Sequence, residues 1–172
     1  MQELREIIRD VPDFPKEGIV FKDITPLLRD PVAFAKIIDV IADKYEEYGV
    51  DMVIGAEARG FILGAAIAYR LKAGFVPARK PGKLPHTVTK AEYELEYGID
   101  SLEVHEDAIT KHQKVLIVDD LLATGGTARA KAELVEQLGG IVVGIAFLIE
   151  LAFLDGRSKL GDFDVFSLIT YD

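Results

Sequence analysis

Val115-Leu-Ile-Val-Asp-Asp-Leu-Leu-Ala-Thr-Gly-Gly-Thr127 begins as an uninterrupted apolar run, turns acidic at Asp119 and Asp120, and closes on a glycine-rich loop. The run is too short and too uniformly apolar for an amphipathic helix, so it reads as a strand covered on both faces. The stretch from Thr127 to Leu138 that follows reads as a helix. A strand, a short loop and a helix in direct succession is the repeating unit of a parallel sheet, and ligands of such sheets bind at the carboxyl ends of the strands.

The same alternation extends in both directions from this segment. Met52–Ile54, Phe75–Ala78, Ile141–Phe147 and Phe163–Ile169 are further short apolar runs, and Val32–Tyr48 and Phe61–Lys72 are helical stretches between them. In the first helix Phe34, Ile37, Ile38 and Ile41 recur at helical spacing, with Lys44, Glu46 and Glu47 off that stripe. Gly49, Gly74 and Gly139 fall just beyond helix ends, where a left-handed residue is favoured. The expected fold class is therefore α/β: an open, mainly parallel sheet flanked by helices. Residues 80–107 break the rhythm. Lys80-Pro-Gly-Lys-Leu-Pro85 suits neither a helix nor a central strand, and Ala91–Tyr97 and Ser101–His105 alternate apolar and polar residues, as a small two-stranded excursion with one wet face would. With no internal repeat or linker, residues 1–172 are expected to form one domain.

Composition narrows the function classes. Twenty Lys and Arg oppose 29 Asp and Glu, a formal charge of −9. That sign disfavours non-specific binding to nucleic acid or to an acidic membrane. The absence of cysteine excludes a disulfide framework, thiolate metal sites and a cysteine nucleophile, and agrees with a cytoplasmic protein. The longest uncharged apolar run, Gly139–Ile149, is half of a membrane span, which needs about 20 residues. His86, His105 and His112 show no metal-ligand spacing.

Chemistry gathers at Asp119–Thr127. Gly125 and Gly126 permit close backbone approach, Thr124 and Thr127 add hydroxyl donors, and amides at a helix start favour an anion, most naturally a phosphate. Asp119 and Asp120 would repel that phosphate, so hydroxyl donors or a divalent ion suit them better. A phosphate next to a diol describes ribose 5-phosphate. Glu57-Ala-Arg-Gly60 repeats the strand-to-helix arrangement with a cation, although Arg59 alone reads equally as a surface charge on a tight turn. Between Arg70 and Lys90 lie six basic residues and no acidic one, a local positive field suited to a small polyanion. Phe14, Val20 and Phe21, in a segment broken by Pro12, Pro15 and Gly18, could cap the core edge or hold a planar base.

The thirteen-residue segment resembles the phosphoribosyl-diphosphate signature of the type I phosphoribosyltransferases. Asp13-Phe-Pro-Lys-Glu-Gly-Ile-Val-Phe-Lys-Asp-Ile-Thr-Pro26, Gly55-Ala-Glu-Ala-Arg-Gly-Phe61, Val76-Pro-Ala-Arg-Lys-Pro-Gly-Lys-Leu-Pro85 and Tyr93-Glu-Leu-Glu-Tyr-Gly98 are similar to motifs of the adenine branch, in that family's order. The resemblance implies the family's fold, with a hood built from residues 10–26 and 80–107. It implies transfer of a phosphoribosyl group to adenine in purine salvage. By the same resemblance, Asp119, Asp120, Ala123, Thr124, Gly125, Gly126 and Thr127 hold ribose and 5-phosphate. Glu57, Ala58, Arg59, Arg79, Lys80 and Lys83 bind pyrophosphate, with a non-proline cis peptide at Glu57–Ala58. Phe14, Val20, Phe21, Lys22 and Leu121 receive adenine, the backbone near Val20 and Lys22 reading the base edge; Lys22 stands where many relatives carry arginine. Glu96 is the catalytic acid/base, Tyr97 packs beside it in the lid, and Mg²⁺ enters through substrate oxygens, with Asp119 and Asp120 the protein groups able to join it. A homodimer is implied as well.

Three alternatives stay open at this level. One is a sister transferase for an oxopurine, and another is a non-catalytic regulator that keeps the phosphoribosyl site. The third is a phosphate-accepting receiver domain, although only 172 − 120 = 52 residues follow Asp120, too few for the rest of that fold.

Overall fold

The computed structural model describes residues 2–95 and 98–172. In chain order the elements are α1 (Gln2–Ile7), β1 (Arg9–Pro12), β2 (Val20–Asp23), α2 (Thr25–Arg29), α3 (Pro31–Tyr45), β3 (Met52–Ala56), α4 (Arg59–Leu71), β4 (Gly74–Ala78), β5 (Val88–Leu95), β6 (Gly98–His105), β7 (Lys114–Leu122), α5 (Gly126–Gln137), β8 (Ile141–Leu151) and β9 (Val165–Tyr171). Five strands form a parallel sheet in the order β4-β3-β7-β8-β9. The chain runs outward from β3 to the edge at β4 and then returns to place β7 on the other side of β3. That reversal is the topological switch point, where an open α/β sheet leaves a crevice at its carboxyl edge.

Alternation along the strands explains the two layers. Val53, Leu116, Val118 and Leu168 pack against Ile37, Ile41, Leu63 and Ile67 of α3 and α4. Ile54, Val115, Ile117 and Ile145 face the other way, against Leu134 and Val135 of α5. The antiparallel hairpin β5–β6 adds Ala91, Leu102 and Val104 to this second core. Among the described residues no helix is long and apolar enough to cross a membrane.

The expected elements are present, with shifted ends. The helix expected over Val32–Tyr48 ends at Tyr45 and continues as a 3₁₀ turn over Glu46–Tyr48. The last strand begins at Val165, not Phe163, and β5 begins three residues before Ala91. Gly49 and Gly139 are left-handed as expected, but at the end of α4 Lys72 takes that conformation (φ 57°) and Gly74 opens β4. A methyl group at Gly74 would lie 2.6 Å from Met52 Sδ, the far end of a flexible side chain on the neighbouring strand. The β1–β2 hairpin and the short helices α1 and α2 have no counterpart in the sequence pattern, because each is too short to establish a period.

Candidate functional site

Two helices start at the switch point, α4 after β3 and α5 after β7. Neither has a side-chain cap at its N-terminus. By contrast, Asp30 caps α3 by accepting from the amides of Val32 and Ala33. The first amides of both helices therefore meet no capping side chain at the crevice, and they carry the positive end of each helix dipole.

Asp119, Leu121, Ala123, Thr124, Gly125, Gly126 and Thr127 line one pocket at the start of α5. Its loop is set by backbone contact. Gly125 is left-handed (φ 80°), and a methyl there would lie 2.3 Å from the carbonyl oxygen of Gly156; one on Gly156 would lie 2.2 Å from that of Ala123. The 3₁₀ segment Gly156–Leu160 thus packs directly beneath the loop.

The two carboxylates are each matched by a cation. Arg59, the first residue of α4, donates its Nε–H to Asp120 Oδ2. Burial, then the charge of Asp119, pushes the Asp120 carboxyl up to about 6, against the pull of Arg59. Lys131 on α5 donates from Nζ to Asp119 Oδ2 at 2.6 Å and to the Val118 carbonyl at 3.3 Å. Asp119 Oδ1 accepts the Asp120 amide at 3.0 Å. With both acids so engaged, the pair does not fit a protein-held divalent ion, and among the described residues no cluster of three or more histidines, aspartates or glutamates is arranged to hold one.

The loop after β4 is anchored to both sides. Glu57, whose peptide bond to Ala58 is cis, accepts the Lys80 amide at 2.8 Å and Arg79 at 3.1 Å. The Lys80 amide, with Arg79 beside it, holds the Glu57 carboxyl below the usual carboxylate range. Arg79 and Glu103 exchange backbone hydrogen bonds, and Lys80 Nζ donates to Asp100 and to the Tyr93 hydroxyl. Lys83 is exposed, its carbonyl accepting from Arg79.

The side chains of the five residues expected around a base do not share one surface. Phe14 and Phe21 meet edge to face at 5.3 Å, and the Arg59 guanidinium lies 5.3 Å from the Phe21 ring centroid, which connects this face to Asp120. Val20 and Lys22 project from the other side of β2 into a mostly apolar cleft of about 430 Å³, walled also by Leu151, Phe153 and Leu154. Lys22 Nζ is tied to Asp10 at 2.6 Å and sits over the Tyr171 ring. Leu121 lines the pocket beside Asp119. Glu96 and Tyr97 lie outside the described residues.

Sequence reasoning missed Lys131, Asp100 and Glu103. For Lys131 a signal existed: it falls four residues after Thr127 and three before Leu134, on the buried stripe of its helix.

The chain matches the phosphoribosyl transferase domain family over residues 23–170. An adenine phosphoribosyltransferase of Geobacter metallireducens is 60% identical over 171 residues, 99% of this chain and 100% of its own. The crystal structure of adenine phosphoribosyltransferase from Thermoanaerobacter pseudethanolicus superposes with a TM-score of 0.96 at 58% identity, covering 99% of both chains. The Saccharomyces cerevisiae adenine phosphoribosyltransferase, solved with adenine and an imino-altritol bisphosphate, gives 0.92 at 46% identity and 97% of each chain.

Proposed function

The chain belongs to the phosphoribosyltransferase family, and from that premise we infer its reaction: it moves the 5-phosphoribosyl group from phosphoribosyl diphosphate to adenine, giving AMP and pyrophosphate. The observation that carries this reading is the acidic pair between two uncapped helix starts at the sheet's switch point. One anion site is next to a hydroxyl acceptor, and a second, cation-bearing site lies across the pair.

In this reading the amides and hydroxyls of residues 123–127 take the 5-phosphate, and Asp119 and Asp120 accept the ribose hydroxyls. A diol that engages Asp120 frees Arg59 to turn toward the pyrophosphate, where Arg79, Lys80 and Lys83 join it. Charge stabilisation of the leaving pyrophosphate and fixed placement of the ribosyl carbon supply most of the acceleration. Adenine lies against Phe21, on the face that leads to Asp120. Glu96 takes the proton lost from the base nitrogen as the new bond forms. Tyr97 closes beside it and helps exclude water, which would otherwise hydrolyse the activated ribosyl centre.

Mg²⁺ belongs to the same reading as a companion of phosphoribosyl diphosphate, held by its oxygens and by water. A homodimer also belongs to it, as the family resemblance implies. The setting is cytoplasmic, where a phosphorylated donor is made and kept.

The test is to supply the protein with phosphoribosyl diphosphate, Mg²⁺ and one purine base at a time, and to measure nucleotide and pyrophosphate. Turnover with adenine alone is expected. Preference for an oxopurine would overturn the base assignment, and binding of phosphoribosyl diphosphate without turnover would favour a regulator.

A further inference from the structure

We propose that Lys131 is a positioning residue of the ribose site, acting through Asp119. This role rests on the reading that Asp119 accepts a ribose hydroxyl.

Lys131 is 0% exposed, and lysine is almost never fully buried unless paired. Its helix neighbours Ala128, Ala130 and Ala132 are small and buried, which leaves room for the long side chain to run inward to the sheet. There Nζ meets Asp119 Oδ2 at 2.6 Å and the Val118 carbonyl at 3.3 Å. The other carboxylate oxygen accepts the Asp120 amide at 3.0 Å and lies against Gly60. Asp119 is thus held from three sides before any ligand arrives.

Stability alone gives little reason for a lysine here. Withdrawing an ammonium and a carboxylate from water costs about as much as their attraction returns, and an apolar side chain of similar length would fill the same space. Geometry gives a better reason. Thr127, at the phosphate loop, and Lys131 are one helical turn apart on α5. One rigid helix therefore carries the amides that meet the 5-phosphate and the ammonium that orients the acceptor of the ribose hydroxyl. Lys131 converts the helix into a spacer that fixes the distance between these two contacts, and acceptors held rigidly in place bind and align a ligand better than mobile ones.

Calorimetry on the full chain tests this, with ribose 5-phosphate and inorganic phosphate as separate probes. Lys131→Met is expected to lose about tenfold or more in affinity for ribose 5-phosphate, the usual size when a partner that orients a ligand-contacting group is removed. Phosphate affinity is expected to stay unchanged. Asp119→Asn is expected to lose ribose 5-phosphate affinity too, and combining it with Lys131→Met to add nothing further. Equal losses for both probes, additive losses, or no loss would overturn the proposal. If Lys131→Met does not fold, Lys131→Gln, which keeps a neutral N–H donor, carries the same comparison. Failure of the underlying reading looks different: wild-type protein would then bind ribose 5-phosphate no better than phosphate.

Discussion

Gly60 on α4 and Asp119 on β7 are in contact across two elements, so close that a methyl group on residue 60 would lie 2.7 Å from Asp119 Oδ1. The carboxylate cannot swing aside cheaply, because Lys131 holds its other oxygen. Gly60→Ala should therefore cost about 1–3 kcal/mol of stability as overpacking. It should also raise KM for phosphoribosyl diphosphate. Urea unfolding and steady-state kinetics measure the two effects; a variant with normal KM would show that Asp119 can move without loss.

Replacing both acids, Asp119→Asn with Asp120→Asn, removes both negative charges, turns one acceptor oxygen of each into an amide donor, and leaves the apolar layers of the sheet intact. Turnover should fall by at least about a hundredfold, the scale of a misplaced reacting group, with an unchanged far-ultraviolet circular dichroism spectrum. Near-normal rates in the double variant would remove the ribose assignment.

Asp120 gives the protein a pH dependence of definite sign. Its carboxyl stands at about 6 in the folded chain against an ordinary 3.8, so the native state holds this proton more tightly than the unfolded one. The stability Asp120 contributes is complete below 3.8 and is lost as pH rises through about 6. Binding runs the other way, since a hydroxyl donor needs the carboxylate. Affinity for ribose 5-phosphate should fall as pH drops below about 6, approaching tenfold per unit. The ligand's own phosphate titrates near there, with a second pKa of about 6, and Asp120→Asn isolates that contribution. Identical pH slopes in the variant and wild type would contradict the assignment.

Glu96→Gln keeps the size of the side chain and removes its proton chemistry. A loss of about 10²–10⁴ in kcat is expected, the usual worth of a general acid or base, with little change in KM for phosphoribosyl diphosphate. A loss confined to KM would make Glu96 a binding residue only.

The ion pair of Lys80 with Asp100 holds a proposed pyrophosphate ligand against the hairpin. Asp100→Asn should free it. Because both groups are partly exposed, such a pair is worth about 0.2–1 kcal/mol, so pyrophosphate affinity should improve by no more than about fivefold. A weaker variant would mean that Asp100 aims Lys80 rather than restraining it.

The central sheet and the acidic segment were legible because buried parallel strands such as Val115–Val118 and Ile145–Ile149 are continuous apolar runs, and because Asp-Asp followed by Thr-Gly-Gly puts hydroxyl acceptors and an anion loop in one short stretch. Less could be read where tertiary contact overrides local preference. Lys72 is left-handed although Gly74 stands two residues on, because Gly74 already pairs with Met52 as the first residue of β4. Val20 and Phe21 fall on opposite faces of β2, but the strand is too short for its period to be read. Lys131 stands on the buried stripe of α5, but its partner Asp119 is set by the placement of α5 against β7, which no local pattern gives.

The close packing of Gly125 against Gly156 means that the proposed phosphate loop is shaped by a segment to which no substrate contact has been assigned. A chain ending just before Gly156 would retain every residue given a role in binding or transfer, and would still lack the surface on which its phosphate loop rests. Grafting residues 115–137 onto another sheet would for the same reason carry over the signature without the packing that shapes its loop.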